Sequence, residues 1–135
     1  LFVRIVEVQT REDLDHAFAA FRSTRPDAVL VANDTFFLAN AGRVAELALA
    51  NHVPVFSSGR PLTEAGALAS YGADLRVIAR RSASYVQRIL NGARTGDLPI
   101  EQPTKFDLVI NQKTARALGI AVPQSVLLRA DEVIQ

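Results

Sequence analysis

Short β-branched runs alternate with runs of helical period along almost the whole chain, and this alternation restricts it to a layered α/β architecture. The most constraining run is AVLVA at 28–32, which no polar residue interrupts, so it reads as a strand buried on both faces. Ahead of it, Leu14, Ala17, Phe18 and Phe21 recur at helical spacing, Thr10 and Asp13 form a capping pair, and Pro26 closes the helix. Residues 2–8, FVRIVEV, read as a first strand. A helix at 41–50 would bury Val44, Leu47 and Ala48. A strand at 53–56, a helical turn at 62–65 and a strand at 67–70 follow. The longest helix then sets Leu75, Ile78, Ser82, Tyr85 and Ile89 on one face, Tyr85 being assigned to the core, and Gly92 occupies a left-handed C-terminal position. A strand at 106–110, an N-capping Asn111 and a helix at 112–118 ended by Gly119 complete the pattern. Strands and helices at this spacing predict a parallel sheet with right-handed crossovers.

Composition removes several classes of function. At 135 residues, 49% hydrophobic and 21% charged, the chain has the profile of one globular domain. Fifteen basic and fourteen acidic residues leave a net charge of +1, so no broad field favours nucleic acid or an anionic membrane; Arg80 and Arg81 read as a solvated helix face. With no cysteine there is no disulfide, thiolate nucleophile or thiolate-bound metal, and the isolated His16 and His52 have no metal-ligand spacing. No cofactor is expected. An enzyme is disfavoured, since no nucleophile–base pair, paired carboxylates or phosphate-binding glycine loop occurs. A chain that begins Leu-Phe-Val and contains no methionine is expected to be a piece of a longer protein, with any export signal upstream.

In open parallel sheets ligands bind beyond the carboxyl ends of the strands, where loops converge and backbone N–H groups point inward. Three polar sets occupy those places: Asn33, Asp34 and Thr35 after the second strand, Ser57 and Ser58 with Gly59 and Arg60 after the third, and Ser70 and Tyr71 with Gly72 after the fourth. Each is also ordinary turn chemistry.

The segments ALASYGADLRVIARRSASYVQRILN (67–91), PIEQPTKFDLVINQKTARALGI (99–120) and VPQSVLLRADEVIQ (122–135) resemble the C-terminal half of the substrate-binding proteins of bacterial ABC importers, a family that includes binders of aromatic amino acids. The resemblance covers essentially the whole chain. It implies an incomplete α/β, Rossmann-like lobe of a type I periplasmic binding protein. Residues 1–66 would form α/β units of the second lobe, 67–100 a segment that returns to the first lobe, and 101–135 the final crossover and C-terminal segment. It further implies an extracytoplasmic protein that captures a small organic solute, an amino acid among the candidates, between two lobes and delivers it to a membrane permease. The site residues it implies are Asn33, Asp34, Thr35, Ser57, Ser58, Ser70 and Tyr71. For an α-amino acid, Asp34 would accept from the ammonium, and Ser57 and Ser58 with adjacent N–H groups would donate to the carboxylate.

Blander roles stand beside these. Asp34 also suits a helix cap, Phe36 and Phe37 suit core or lobe-interface packing, Tyr71 suits either ligand stacking or a hinge hydrogen bond, and His16, His52 and Arg60 read as structural or solvated. The effector domain of a transcription regulator shares the two-lobed fold and is the main alternative. A receiver-like phosphotransfer domain fails because residues 8–10 bring no acidic pair to hold a metal and Lys105 precedes a strand. With the first lobe and one central strand of the second lobe missing, hydrophobic faces and strand edges would be uncovered, and self-association of the chain is expected.

Overall fold

A computed structural model describes residues 2–135. In chain order its elements are α1 (Arg11–Thr24), β1 (Val29–Val31), α2 (Thr35–Ala39), α3 (Ala41–Ala50), β2 (Val55–Ser57), α4 (Arg60–Ala65), β3 (Ala69–Ala73), α5 (Leu75–Leu90), a 3₁₀ turn (Thr95–Asp97), β4 (Phe106–Asn111), α6 (Gln112–Ala117), α7 (Gln124–Leu127) and β5 (Glu132–Ile134).

The first helix forms where the sequence predicts it, for the predicted reason. The Thr10 hydroxyl accepts from the Asp13 N–H at 3.1 Å, and the Asp13 carboxylate accepts from the Thr10 N–H at 2.9 Å, so two otherwise orphaned donors are satisfied reciprocally. That reciprocal pairing holds the Asp13 carboxyl below its ordinary range, the Thr10 bond being the main cause. Leu14, Ala17 and Phe18 are the buried face of α1. Leu14 and Phe18 meet Val31 and Val55 of the sheet, Val44 and Ala48 of α3, and Leu62 of α4 in one contiguous core. Burial of a side chain such as Leu14 or Leu62 contributes about 2 kcal/mol each.

The five strands lie in the order β1-β2-β3-β4-β5. β1, β2 and β3 pair in parallel, as do β4 and β5, but β3 and β4 run antiparallel, with Ala73 opposite Phe106 and Ala69 opposite Ile110. The expected all-parallel sheet is therefore corrected to a mixed one. The chain leaves at the carboxyl end of β3, traverses α5 and residues 91–105, and re-enters beside the residue it left from, so β4 can only run back down. Asn111, the last residue of β4, caps α6 by accepting from the Thr114 N–H at 3.0 Å, and Gly92 and Gly119 have the positive φ expected after a helix.

Three other expectations are corrected. Residues 2–8 form no strand: no ladder partner lies beside them among the described residues, and Phe2, Val3 and Ile5 are exposed. The 28–32 run is not buried on both faces, because Leu30 is 78% exposed while Val31 is buried; α1, α3 and α4 build the core on one side of the sheet only. Tyr85 is not a core residue. It is half-buried, its hydroxyl donates to the Pro99 carbonyl at 2.7 Å, and α5 as a whole contains no buried residue. Strand boundaries also shift by about two residues, β2 to Val55–Ser57 and β3 to Ala69–Ala73.

Candidate functional site

The carboxyl ends of β1 and β2 lie side by side and abut β3 at Ser70, because Val31 pairs with Ser57 and Ser57 with Ser70. The loops after β1 and β2 therefore converge beside the rest of β3. After β1, Asn33, Asp34 and Thr35 are all exposed. Asp34 is the N-cap of α2, its carboxylate accepting from the Phe36 N–H at 2.7 Å, and its second oxygen has no hydrogen bond among the described residues. The Asn33 side chain lies against Gly59, so the first and second loops are in contact. Phe36 and Phe37, packed edge to face with centroids 5.4 Å apart, are half-buried, and Phe37 packs against the core.

After β2 the two serines part company. Ser57 is buried and its hydroxyl donates to the Gly59 carbonyl at 2.9 Å, which shapes the turn into α4; Ser58 is exposed. Between the first two loops is a dimple of about 10 Å³ lined by Asn33, Ser57, Ser58 and Gly59 among others, room for about one water. Arg60 is committed to Glu64 and to Glu132 of β5, at 2.6 and 2.7 Å, so the loop arginine ties α4 to the far edge of the sheet instead of facing the loops as a free cation.

Ser70, Tyr71 and Gly72, expected in a loop after the strand, instead lie within β3, whose pleat buries Ser70 and leaves Tyr71 62% exposed. Gly72 sits so close to the β2 loop that a Cβ there would lie 1.9 Å from the Ser58 carbonyl oxygen. Only glycine permits that contact, which clasps the β2 loop to β3. The structure thus brings Asn33, Asp34, Thr35, Ser58 and Tyr71 to the surface along one edge and places Ser57 and Ser70 beneath them.

Two features of this region were not read from the sequence. The Tyr71 ring stacks on Phe106, with centroids 5.7 Å apart and planes 26° apart, because antiparallel pairing sets residue 106 beside β3. No spacing rule connects positions 71 and 106, so only the register could reveal the pair. The second is a groove of about 290 Å³ between α5 and residues 99–105, walled by Ile78, Tyr85 and Pro99 with an Arg81–Glu101 ion pair among its lining. Nearby, Asp74 caps α5 through the Arg76 N–H at 2.8 Å, which lowers its pKa, and Lys105 pairs with Asp107 at 3.0 Å, which raises that of the lysine. No group of three or more His, Cys, Asp or Glu side chains among the described residues could hold a metal ion.

Comparison with known proteins places this architecture. The family model described as ABC transporter substrate binding protein matches residues 1–134. A curated relative, the Tyrosine-binding protein of Clostridioides difficile strain R20291, is 23% identical over 113 residues, covering 84% of this chain and 32% of its own length. The crystal structure of a conserved domain protein from Vibrio cholerae superimposes with a TM-score of 0.82 and 32% identity, over 90% of this chain and 41% of that one. An ABC domain from Streptococcus pneumoniae, solved in complex with L-Trp, superimposes with a TM-score of 0.88 and 28% identity, over 99% of this chain and 46% of that one. The chain spans less than half the length of each of these proteins.

Proposed function

We propose, from the premise that this chain belongs to the ABC transporter substrate binding protein family, that it supplies one wall of an interlobe cleft that captures an amino acid. Members of this family bind solutes without transforming them, so the function rests on affinity and closure. The observation that carries the reading is the convergence of two polar loops, those of Asn33–Asp34 and Ser58, beside the exposed Tyr71 of β3. The names of two similar proteins, a tyrosine-binding protein and a domain complexed with L-Trp, support an amino acid as the solute class. In this reading the free oxygen of Asp34 accepts from the ligand ammonium, and the hydroxyl and N–H of Ser58 donate to the ligand carboxylate. Ser57 and Ser70 hold the loops from below, and Asn33 and Thr35 border the ligand.

The same reading assigns residues 67–100 to a return into the other lobe. A 16-residue helix with alternating apolar and basic faces but no buried residue is what an element looks like when its packing partner is elsewhere in the protein. The groove between α5 and residues 99–105 would be filled by that partner, leaving the 10 Å³ dimple and the loops around it as the ligand-facing surface. The full-length protein would act outside the cytoplasm, deliver its solute to an ABC permease, and favour docking in the closed, liganded form.

Thermal unfolding of the full-length protein against a panel of amino acids, small carboxylates and sugars tests this. A ligand at 100 times its Kd stabilises the bound fold by about 2.7 kcal/mol. A selective shift with an amino acid is expected. Asp34→Asn keeps a competent helix cap but removes the charge, so it should abolish the shift without moving the unliganded transition. An unchanged ligand shift in that variant would remove Asp34 from the site, and no shift with any amino acid would overturn the assignment.

A further inference from the structure

We infer that Arg60 is a positioning residue for the candidate ligand loop: through Glu132 it ties the β2 loop, and with it Ser58, to the last strand of the sheet, so that the pair sets ligand affinity without touching the ligand; this rests on the amino-acid-binding reading above. The juxtaposition follows from register. Val31, Ser57, Ser70, Val109 and Glu132 form one rung across all five strands. The first four are buried, on the side of the sheet that the helices cover. Partners on a rung share a face, so Glu132 projects from the helix-covered side as well. Arg60, the first residue of α4, reaches it there, Nη2 to Oε1 at 2.7 Å.

Three observations give this ion pair a role beyond its own modest strength. Arg60 uses two sides of its guanidinium: Nε bonds Glu64 at 2.6 Å within α4, a contact that travels with the helix, whereas the bond to Glu132 joins residues 72 positions apart and fixes the helix to the sheet. The chain between Ser58 and Arg60 is also too constrained to absorb a displacement: the Ser57 hydroxyl donates to the Gly59 carbonyl at 2.9 Å, and Pro61 fixes φ in the first turn of α4. A shift of Arg60 is therefore passed to Ser58. Finally, the far end of α4 is anchored to the same C-terminal segment, the Asn111 side-chain amide donating to the Thr63 carbonyl and the Thr114 hydroxyl to the Gly66 carbonyl, each at 3.0 Å. With that end held, loss of the Arg60–Glu132 bond lets α4 pivot about its C-terminal end and lets the β2 loop move with it relative to Asn33 and Gly72. An ion pair between half-buried side chains contributes little to overall stability. A loop that spends only part of its time in the binding geometry, however, lowers affinity by that fraction.

The test is calorimetric titration of L-Trp, L-Tyr, L-Phe, L-Leu and L-Val into the full-length protein and its Glu132→Gln, Glu64→Gln and Arg60→Gln variants. Glu132→Gln should weaken binding of the tightest of the five about three- to fivefold, as when the competent loop is populated a fifth to a third of the time. Its unliganded melting temperature should stay within about 2 °C of the wild type. Glu64→Gln removes a carboxylate from the same arginine but leaves the tie to the sheet, so affinity should hold within about 1.5-fold. Arg60→Gln, alone or combined with Glu132→Gln, should match Glu132→Gln, because each change breaks the same bond. If Glu132→Gln does not fold, Arg60→Gln takes its place against Glu64→Gln, and equal affinities in those two overturn the proposal. A wild type that binds one of the five, with Glu132→Gln unchanged or with an equal loss in Glu64→Gln, overturns the positioning role and leaves the amino-acid reading intact; binding of none of the five by the wild type would overturn both.

Discussion

Two helices of this chain, α1 and α5, have comparable lengths, side-chain N-caps and strongly amphipathic sequences, yet only one of them builds the core. α1 is closed by a reciprocal capping box and buries Leu14, Ala17 and Phe18 against β1, β2, α3 and α4. α5 is capped by Asp74 and carries Leu75, Val77, Val86, Ile89 and Leu90 exposed. The difference teaches that amphipathicity specifies a need for a partner without specifying where the partner is. For α1 it lies within the next forty or so residues; for α5 no described residue fills that role, and the excursion from Asp74 to Lys105 leaves and rejoins the sheet at a single point, where Ala73 pairs with Phe106.

The sharpest way to break this contrast is to remove equal volumes from each region. Leu62→Ala, in the fully buried core, should cost about 2–5 kcal/mol in urea denaturation of this chain, whereas Leu90→Ala should change stability by less than about 0.5 kcal/mol. Equal losses would show that α5 has a buried partner. Next in size is the junction between the regions: Gly72→Ala forces a Cβ into the Ser58 carbonyl and should destabilise by about 1–3 kcal/mol, with weaker ligand binding in the full-length protein. A wild-type melting curve for that variant would mean that the β2 loop yields freely. Caps come third. Thr10→Ala should cost about 1 kcal/mol, because the helix it caps is packed on the core, and native-state hydrogen exchange should show α1 amides protected to near the global limit while those of α5 exchange faster.

The smallest effect is a pH dependence. Asp13 and Asp74 both have pKa values lowered from 3.8, Asp13 chiefly by its side-chain hydrogen bonding with Thr10 and Asp74 chiefly by accepting the Arg76 N–H. Each carboxylate therefore contributes stability that is present above pH 3.8 and lost as pH falls through its lowered folded value. Acid titration of Asp13→Asn should show a shallower loss of stability below about pH 4 than the wild type. For Asp74→Asn the change should be smaller, since fraying of α5 disturbs less buried surface. An equal flattening in both would erase the distinction between the two helices.

Local chemistry was legible wherever a signal and its partner lie within a few residues. The Thr10–Asp13 box, the Asn111 cap, the positive-φ glycines at 92 and 119, and the apolar spacing of Leu14, Ala17 and Phe18 all appear in the structure as the sequence predicts. The candidate site was partly legible: the polar residues after β1 and β2 could be placed on one edge from topology alone, but Ser70 and Tyr71 fall inside β3, and Ser57 and Ser70 could not be told from Ser58 by composition. Burial separates them, and burial depends on which face of the sheet the helices cover. Arg60 shows the same limit, since its partner Glu132 is a distant residue brought near by the last strand.

Sequence by itself therefore determined the α/β class, the caps of α1 and α6 and much of the alternation of strands with helices, though not α2, α7 or β5, because these depend on hydrogen bonds and periodicities that close within one or two turns. Tertiary structure alone decided the reversal of β4, the exposure of Leu30 and of residues 2–8, the absence of buried residues on α5, and the meeting of Tyr71 with Phe106. Each of these is a question of which surface finds a partner across a long stretch of chain. Hydrophobic burial is non-directional, so a pattern of apolar residues states how much surface must be covered but not by what.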